Sequence, residues 1–351
     1  MPEDASDLAR QDRDHHLHPF TDPRVLIEEG GPTVIVRGEG CTLWDEDGHA
    51  YLDALAGLWC VNVGYGRAEL AEVAAEQMQR LAYYNTFFKT TSPPTAALAA
   101  RLAELMPAGL TRVMFANSGS EALDSIVRLC RHFWVLEGKP DKWVMIGREE
   151  GYHGSTLATV SLGGISGMRA QGRLPLPGFE QARAPYAFRY APDADPAAFA
   201  EEAAGWIEAK ILEVGADKVA GVVVEPVQGA GGVIIPPPGY LERVQEICRR
   251  HDVLFVLDEV VSGFGRLGAW SAAERFGLTP DFMALAKGLS SGYQPISAVM
   301  IGDRVARALI DKGGDLAHGF TYSGHPVTAA VALANLDIIA RERLVERVRD
   351  D

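Results

Sequence analysis

The sequence is poor in cysteine and has no long apolar run. Its four cysteines lie far apart and form no CxxC pair, so neither a zinc site nor a disulfide framework is indicated. No apolar stretch reaches the roughly 18 residues that a membrane helix requires. The charged N-terminus, MPEDASDLARQDRDHH, lacks the apolar core of a signal peptide. These features predict a cytoplasmic protein without a membrane partner.

Positive charge is also scarce. The 351 residues carry 33 Lys and Arg against 47 Asp and Glu, which gives a net charge of −14. Nucleic acids and anionic membranes require a basic face, so neither is expected as a main partner. The apolar share of 47% is ordinary for a globular protein, and the length indicates a large domain plus part of a second.

Short apolar strands alternate with helical stretches from residue 112 onward. Such strands indicate an α/β fold with a mostly parallel sheet that helices cover on both faces. Ahead of them, 33–55 alternates like a β-meander, and 68–82 and 93–106 have helical spacing. The predicted strands of the sheet are 112–116, 142–147, 219–226, 253–260, 281–288 and 296–302.

Two chemically unusual residues end neighbouring apolar strands, Asp258 and Lys287. Ligands of such sheets bind outside the carboxyl ends of the strands. A buried carboxylate needs a partner, which a protonated pyridine nitrogen supplies, and a lysine near an apolar edge can form a Schiff base. The pair therefore predicts a pyridoxal phosphate site. The alternatives are a helix-capping or salt-bridged acid and a solvated lysine.

The turn 117–122, Asn-Ser-Gly-Ser-Glu-Ala, follows the strand at 112–116 and opens a helix. Its small residues let backbone N–H groups and the Ser120 hydroxyl close on an anion. A plain strand–helix turn with a serine cap fits the same residues equally well.

Aromatic residues are the next candidates. Tyr152, in Gly-Tyr-His-Gly, could stack on an aromatic ring or simply pack in a turn. Phe20, Trp59, Phe87 and Phe88 could line an apolar substrate pocket, although such residues more often belong to the core.

Two patterns resemble ligand-binding motifs but are not interpreted as binding sites. His15, His16 and His18 have no carboxylate at ligand spacing and are expected to be solvated, so no metal site is predicted. The segment 263–268 matches GxGxxG. However, acids precede it at 258–259, and no strand ends in a ribose-binding acid about 20 residues later, which argues against a dinucleotide site.

With these residues in place, the sequence resembles the class III aminotransferases of pyridoxal phosphate (PLP) fold type I. The resemblance is to the ω-amine:pyruvate and putrescine-type transaminases in particular, and it extends from about residue 15 to the last residue. The segments that carry it are HHLHPFTD, GLWCVNVGYGR, YNTFFKTT, NSGSEA, GYHGST, ILEVGADKVAG, EPVQGAGGVIIPP, LDEVVSGFGR, AKGLSSGY and HGFTYSGHP.

The resemblance implies two catalytic residues and a set of cofactor-binding positions. Lys287 is implied as the Schiff-base lysine and proton shuttle, and Asp258 as the partner of the pyridinium nitrogen. Gly119 and Ser120 are implied to bind the phosphate, and Tyr152 and Val260 to pack on the two faces of the ring. Glu225 is implied to support the site near the cofactor's hydroxyl. The whole set of cofactor-binding positions is Gly119, Ser120, Tyr152, Glu225, Asp258, Val260, Lys287 and Thr321.

The resemblance also implies the reaction and the assembly. An amino group passes from an ω-amine or diamine to a keto acid such as pyruvate by a ping-pong mechanism. Thr321 is expected to reach the phosphate of a neighbouring subunit, which implies a homodimer or a dimer of dimers. The implied amine pocket is formed by Phe20, Trp59, Phe87 and Phe88.

The expected domains are an N-terminal segment of a small domain at 1–60, a large PLP-binding domain at 61–325 and the start of a C-terminal small domain at 326–351. The family continues for on the order of a hundred residues beyond this point, so the small domain is expected to be partial. Two alternatives therefore stay open. One is an inactive PLP-binding homologue, and the other is a class III decarboxylase or aminomutase.

Overall fold

The computed structural model describes residues 5–351, which form two β-sheets and the helices around them. The ten strands are β1 (Ile35–Glu39), β2 (Thr42–Asp45), β3 (Ala50–Leu52), β4 (Leu110–Ala116), β5 (Val144–Arg148), β6 (Phe179–Ala182), β7 (Val219–Val224), β8 (Leu254–Asp258), β9 (Phe282–Leu285) and β10 (Ser297–Gly302).

The right-handed helices vary from one turn to five. They are Ala5–His15, Pro23–Glu28, Ala68–Leu81, Pro93–Leu105, Gly119–Leu136, Leu157–Leu162, Ser166–Arg169, Ala187–Tyr190, Pro196–Val214, Tyr240–Arg250, Ala272–Phe276, Asp303–Lys312, Pro326–Arg341 and Leu344–Asp350. A short 3₁₀ turn covers Lys287–Leu289. Within the described residues, no helix is both long and apolar enough to cross a membrane.

The small sheet confirms the predicted meander. Strands β1, β2 and β3 pair antiparallel in that order, and an Asp-Gly turn at 47–48 lies between β2 and β3. The predicted helices at 68–82 and 93–106 are also confirmed, the second with prolines at its first two positions.

The large sheet has the order β4-β10-β9-β8-β7-β5-β6. The pairs between β9 and β6 are parallel, whereas β10 pairs antiparallel with both β9 and β4. Since β10 alone is reversed, β4 runs in the same direction as the parallel strands. The prediction of a mostly parallel sheet is therefore confirmed, and β6 is an additional edge strand that the apolar pattern did not reveal.

Helices cover both faces of the large sheet, as predicted. On one face, Ala220 and Val223 of β7 pack in a cluster with Phe133 and Trp134 of the helix Gly119–Leu136. On the other face, Val222 of β7 packs in a cluster that includes residues of Pro196–Val214 and Tyr240–Arg250. The successive residues Val222, Val223 and Val224 thus serve opposite layers in turn, because successive side chains point to opposite faces.

The helix Pro326–Arg341 packs against Ala68–Leu81 and Pro93–Leu105. Its buried residues Leu336 and Ile339 belong to the same cluster as Leu98 and Leu102. The domain boundaries at 60 and 325 stay predictions.

Candidate active site

The carboxyl ends of β4, β5, β7, β8 and β9 meet at one edge of the large sheet, where the loops that follow them enclose a cavity of about 830 Å³. The reversed strand β10 contributes from its amino end, through the segment 294–296. Nine of the residues singled out from the sequence line this cavity: Phe20, Trp59, Gly119, Ser120, Tyr152, Glu225, Asp258, Val260 and Lys287.

Lys287 stands two residues beyond the end of β9 in a strained turn. Its φ is +46°, in the left-handed region that costs a non-glycine residue about 1–2 kcal/mol. The Asn335 side-chain amide, fully buried, donates to the carbonyls of Gly288 (2.8 Å) and Leu289 (3.0 Å) and so holds this turn in place. The strain is therefore maintained by a helix that is distant in sequence.

The environment of Lys287 favours a neutral amine. Burial lowers the pKa of its ammonium group, and the negative charge of Asp258 opposes this shift in part. The Nζ atom lies 5.8 Å from the centre of the Trp59 ring, which lines the same cavity. A lysine with a lowered pKa near an aromatic wall has the properties of a nucleophilic amine.

Asp258 is the last residue of β8, and its carboxylate is buried. One oxygen is hydrogen-bonded to Nδ1 of His153 at 2.7 Å, and the other accepts from the Val260 backbone N–H at 3.1 Å. The His153 side chain is itself almost fully buried. These bonds fix the carboxylate so that it faces the cavity, where it can bind a protonated ring nitrogen.

Glu225 follows β7 directly and lies beside Asp258, because Val224 pairs with Leu257 across the two strands. Its carboxylate accepts from the backbone N–H of Tyr152 (3.0 Å) and of Gly229 (3.2 Å). Burial raises the pKa of Glu225 to about 7, and the nearby Asp258 carboxylate adds to this rise. Glu225 can therefore donate or accept a proton near neutral pH.

The helix Gly119–Leu136 begins at the cavity wall, where its first N–H groups have no intrahelical acceptors. A Cβ atom at Gly119 would lie 3.0 Å from Val260, so glycine lets the helix start and this valine approach each other. Ser120 is equally close to the next loop, and its hydroxyl accepts from the Ser155 backbone N–H at 3.1 Å. These small residues leave room at a helix N-terminus for a phosphate.

Three predicted positions lie elsewhere. Thr321 is exposed, and its carbonyl accepts from the Tyr83 hydroxyl at 2.6 Å. Phe87 is half-buried against Gly319, and the Phe88 side chain is 94% exposed. The structure therefore does not bring Thr321, Phe87 or Phe88 to the cavity of this chain, because the loop that holds the two phenylalanines packs on the segment 319–325 instead.

Two residues of the site were not identified from the sequence. His153 was considered only as the neighbour of Tyr152, and no local pattern indicates that it meets Asp258, 105 residues later in the chain. Asn335 lies in a helix whose other inward-facing residues are mostly apolar. A polar residue at such a position was the one feature of the sequence that could have indicated its role.

The residues fit the cofactor that the sequence suggested. A lysine with a lowered pKa, a buried carboxylate that faces the cavity and a small-residue helix start surround a single space. Fold and site together define a PLP enzyme of fold type I.

The chain belongs to the class III aminotransferases, since the model of that family matches residues 27–351. These enzymes depend on PLP. A putrescine–pyruvate aminotransferase from Pseudomonas aeruginosa is 49% identical over 337 residues, which cover 96% of this chain and 74% of that protein.

Solved structures give the same assignment. An (S)-enantioselective ω-transaminase from Thermomicrobium roseum matches with a TM-score of 0.96 and 43% identity over 99% of this chain and 77% of that one. The ω-transaminase from Pseudomonas jessenii in complex with PMP matches with a TM-score of 0.94 and 42% identity over 97% and 76%. This chain is thus an aminotransferase that spans about three-quarters of the length of such relatives.

Proposed function

We propose that this enzyme transfers an amino group from an ω-amine or a diamine to pyruvate by a ping-pong mechanism. The observation that carries the proposal is the composition of the cavity wall. One group of lining residues is apolar, formed by Phe20, Leu58, Trp59, Ile165 and Met168. No arginine is among the described residues that line the cavity, and the apolar wall suits the hydrocarbon part of an amine.

The similarity to a putrescine–pyruvate aminotransferase, at 49% identity, supports a diamine donor and pyruvate as the acceptor. The ω-transaminase neighbours support the broader class of amines whose amino group is remote from any carboxylate. A hydrocarbon chain against the apolar wall gains about 25 cal/mol for each Å² of apolar surface that is removed from water.

The roles of the residues follow from their positions. PLP, when bound, supplies an aldehyde for amines and a ring that accepts electrons. Lys287 holds this group and then moves a proton, since its burial favours the neutral amine. Asp258 keeps a proton on the ring nitrogen, and His153 positions Asp258. The first turn of the helix at Gly119 and the Ser120 hydroxyl bind the phosphate.

Tyr152 and Val260 line the same cavity and are proposed to enclose the ring. Val260 is fixed there by its backbone bond to Asp258 and by its contact with Gly119. A rigidly held ring lets the protein choose the substrate bond that breaks, because only a bond perpendicular to the ring gains from its electron acceptance.

We further propose that the active form is a dimer. Thr321 and Phe88 are exposed and lie outside the cavity of their own chain, so they are free to contact a second copy. Sedimentation equilibrium of the PLP-loaded chain tests this assembly. A monomer at all concentrations would contradict it.

The function is tested by amine-dependent formation of alanine from pyruvate, with putrescine as donor and the Lys287→Ala variant as control. The proposal predicts alanine from the wild-type chain and none from the variant. Release of carbon dioxide without alanine would favour a decarboxylase instead. Retention of PLP without any turnover would favour a binding homologue.

A further inference from the structure

A cluster of two histidines and one aspartate lies at the end of the first helix, remote in sequence from the catalytic residues. Asp12, His16 and His18 form this N-terminal triad. Their ligand atoms all lie within 4.8 Å of one another. Nδ1 of His16 is 2.9 Å from one Asp12 carboxylate oxygen, and Nε2 of His18 is hydrogen-bonded to the other.

The triad corrects the sequence analysis, which assumed that no carboxylate stands at ligand spacing from these histidines. The helix Ala5–His15 places Asp12 one turn before His16, and the chain then turns so that His18 reaches the same carboxylate. The two imidazole rings lie with centres 4.4 Å apart, both beside Asp12.

This donor set has a definite metal preference. Two imidazole nitrogens and one carboxylate suit Zn²⁺, Ni²⁺, Co²⁺ or Cu²⁺, whereas Mg²⁺ and Ca²⁺ prefer oxygen ligands. Ligands at about 2.0–2.1 Å from zinc in tetrahedral geometry lie roughly 3.3 Å from each other. The triad therefore needs only small side-chain movements to coordinate an ion.

The three side chains of the triad are partly exposed to solvent. The side chains of Asp12 and His18 are 28% and 24% exposed, and that of His16 is 59% exposed. Both imidazole rings are hydrogen-bonded to the Asp12 carboxylate, so the three side chains already converge on one point.

A second cluster, formed by Asp45, Asp47 and His49, has a different character. The Asp45 carboxylate accepts from the His49 backbone N–H and from the Tyr51 hydroxyl in addition to bonding the His49 ring. These bonds close the turn between β2 and β3, so this cluster is explained by the structure of its own loop.

The position of the N-terminal triad connects it to the cavity. His18 is followed directly by Pro19 and Phe20, which line the cavity. On the other side, the first helix packs so closely on Gly31 that a Cβ there would lie 2.8 Å from the Ala9 carbonyl oxygen. The triad thus stands between a docked helix and the rim of the active site.

We propose that Asp12, His16 and His18 bind one divalent transition-metal ion of the zinc class, and that this ion fixes Phe20 at the cavity mouth. The binding of the ion does not depend on the identity of the amine. It links the helix Ala5–His15 to the segment that follows, because its ligands come from both.

Binding is tested by equilibrium dialysis of the untagged, PLP-loaded chain against Zn²⁺, with bound zinc counted by atomic emission. The proposal predicts one more zinc ion per chain in the wild type than in the double variant His16→Gln, His18→Gln. Each single variant weakens this site at least about tenfold, since loss of even a ligand's supporting partner costs that much. The matched control is His15→Gln, because His15 is adjacent to His16 in sequence but does not belong to the triad.

Equal zinc binding by the wild type and the double variant would overturn the site. The effect on the rim is tested separately by hydrogen exchange of the backbone amides of Leu17, His18, Phe20 and Thr21 with and without Zn²⁺. Slower exchange in the wild type, unchanged in the double variant, is expected. Zinc binding at the triad without slower exchange would overturn the link to Phe20 and leave only the metal site.

Discussion

The sheet edge and the rim of the cavity are built in opposite ways. At the edge, Glu225 follows β7 and Asp258 ends β8, and the ladder between these two fully buried strands aligns them. At the rim, the segment Ala56–Trp59 is a left-handed turn whose four residues have φ values between 49° and 67°. Each non-glycine residue in that region costs about 1–2 kcal/mol.

One carboxylate holds the strained rim. Asp53 accepts from the backbone N–H groups of Leu55 (3.2 Å) and Gly57 (2.8 Å) and from the Tyr65 hydroxyl (2.7 Å). Burial and the Asp53 contact raise the pKa of Tyr65 to about 12, so this hydroxyl remains a donor. The turn directs Trp59 towards Lys287.

The difference teaches how the enzyme separates its tasks. The two acids stand at the ends of regular strands, whereas Lys287 and the pocket that meets the amine stand on irregular backbone held by a few bonds. Changes at the edge should therefore reduce the rate and preserve the fold. Changes at the rim should alter stability or amine affinity and leave the chemistry intact.

The largest effect is expected at the edge, from Asp258→Asn. Asparagine can keep the contacts with His153 and the Val260 N–H, but it cannot hold a proton on the ring nitrogen. The single-turnover rate of amine consumption should fall by about 10²–10³-fold, as for the loss of one preorganised electrostatic contact. The midpoint of thermal unfolding should change little.

The control is Glu259→Gln, which alters the adjacent buried acid. Glu259 accepts from the backbone N–H groups of Ala272 and Ala273 and does not line the cavity. This variant should shift the unfolding midpoint and keep the single-turnover rate near that of the wild type. An equal loss of rate in both variants would show that the two buried acids do not differ in their contribution to the chemistry.

At the rim, Gly57→Ala should reduce the free energy of unfolding by about 2 kcal/mol. The residue has a φ of +56°, and an added Cβ would lie 2.9 Å from the Tyr65 hydroxyl and 3.0 Å from Val61. Gly40→Ala is a matched control, because Gly40 has a φ of +57° and no atom within 4 Å of its Cβ position. Chemical denaturation of both variants separates the cost of the contact with Tyr65 from the cost of backbone strain. Equal losses of the free energy of unfolding would show that the packing of Tyr65 is unimportant.

The same comparison explains what the sequence could predict. Asp258 and Lys287 were identified because an acid and a lysine at the ends of apolar strands are rare, and strand ends share an edge. The turn Ala56–Trp59 could not be predicted, since its composition is compatible with an ordinary helix. Strand direction leaves no trace in periodicity either, so the reversal of β10 was found only in the structure.

Two further elements show the limit of pattern analysis. The helix Pro196–Val214 was not predicted, because its alanine-rich sequence has little amphipathic contrast. Strand β6, with the sequence Phe-Glu-Gln-Ala, is too short and polar to resemble the central strands. Phe87 and Phe88 were assigned to the pocket from their aromatic character and from the resemblance, and their location depends on how a distant loop folds.

A smaller effect at the edge concerns pH. Burial raises the pKa of Glu225 to about 7 in the folded chain, against 4.5 ordinarily. Between these values the folded chain binds a proton that the unfolded chain has released, so this group's contribution to stability falls as pH rises through the window and is lost above about 7. Relative to wild type, Glu225→Gln should gain stability across that window by at most about 1.4 kcal/mol per pH unit.

Denaturation of both proteins between pH 4.5 and 8 measures this difference. The comparison removes the contribution of other titrating groups, which both proteins share. A difference in stability that stays constant with pH would show that Glu225 has an ordinary pKa in the folded chain, and that the strand ends are more hydrated than their burial indicates.

The smallest effect is expected from Phe20→Ala at the rim. The Phe20 side chain lines the cavity but is 78% exposed, so its removal should cost less than about 1 kcal/mol of amine binding. KM for an apolar amine should therefore rise about twofold to fivefold with kcat unchanged, because ground state and transition state lose the same contact. Steady-state kinetics with an aryl and a short aliphatic amine measure this change, which should be larger for the aryl donor.

Phe88→Ala sharpens the comparison, since Phe88 lies outside the cavity of its own chain. An equal rise of KM in that variant would mean that a second copy completes the rim, whereas a fall in kcat for Phe20→Ala would mean that the rim takes part in the chemistry.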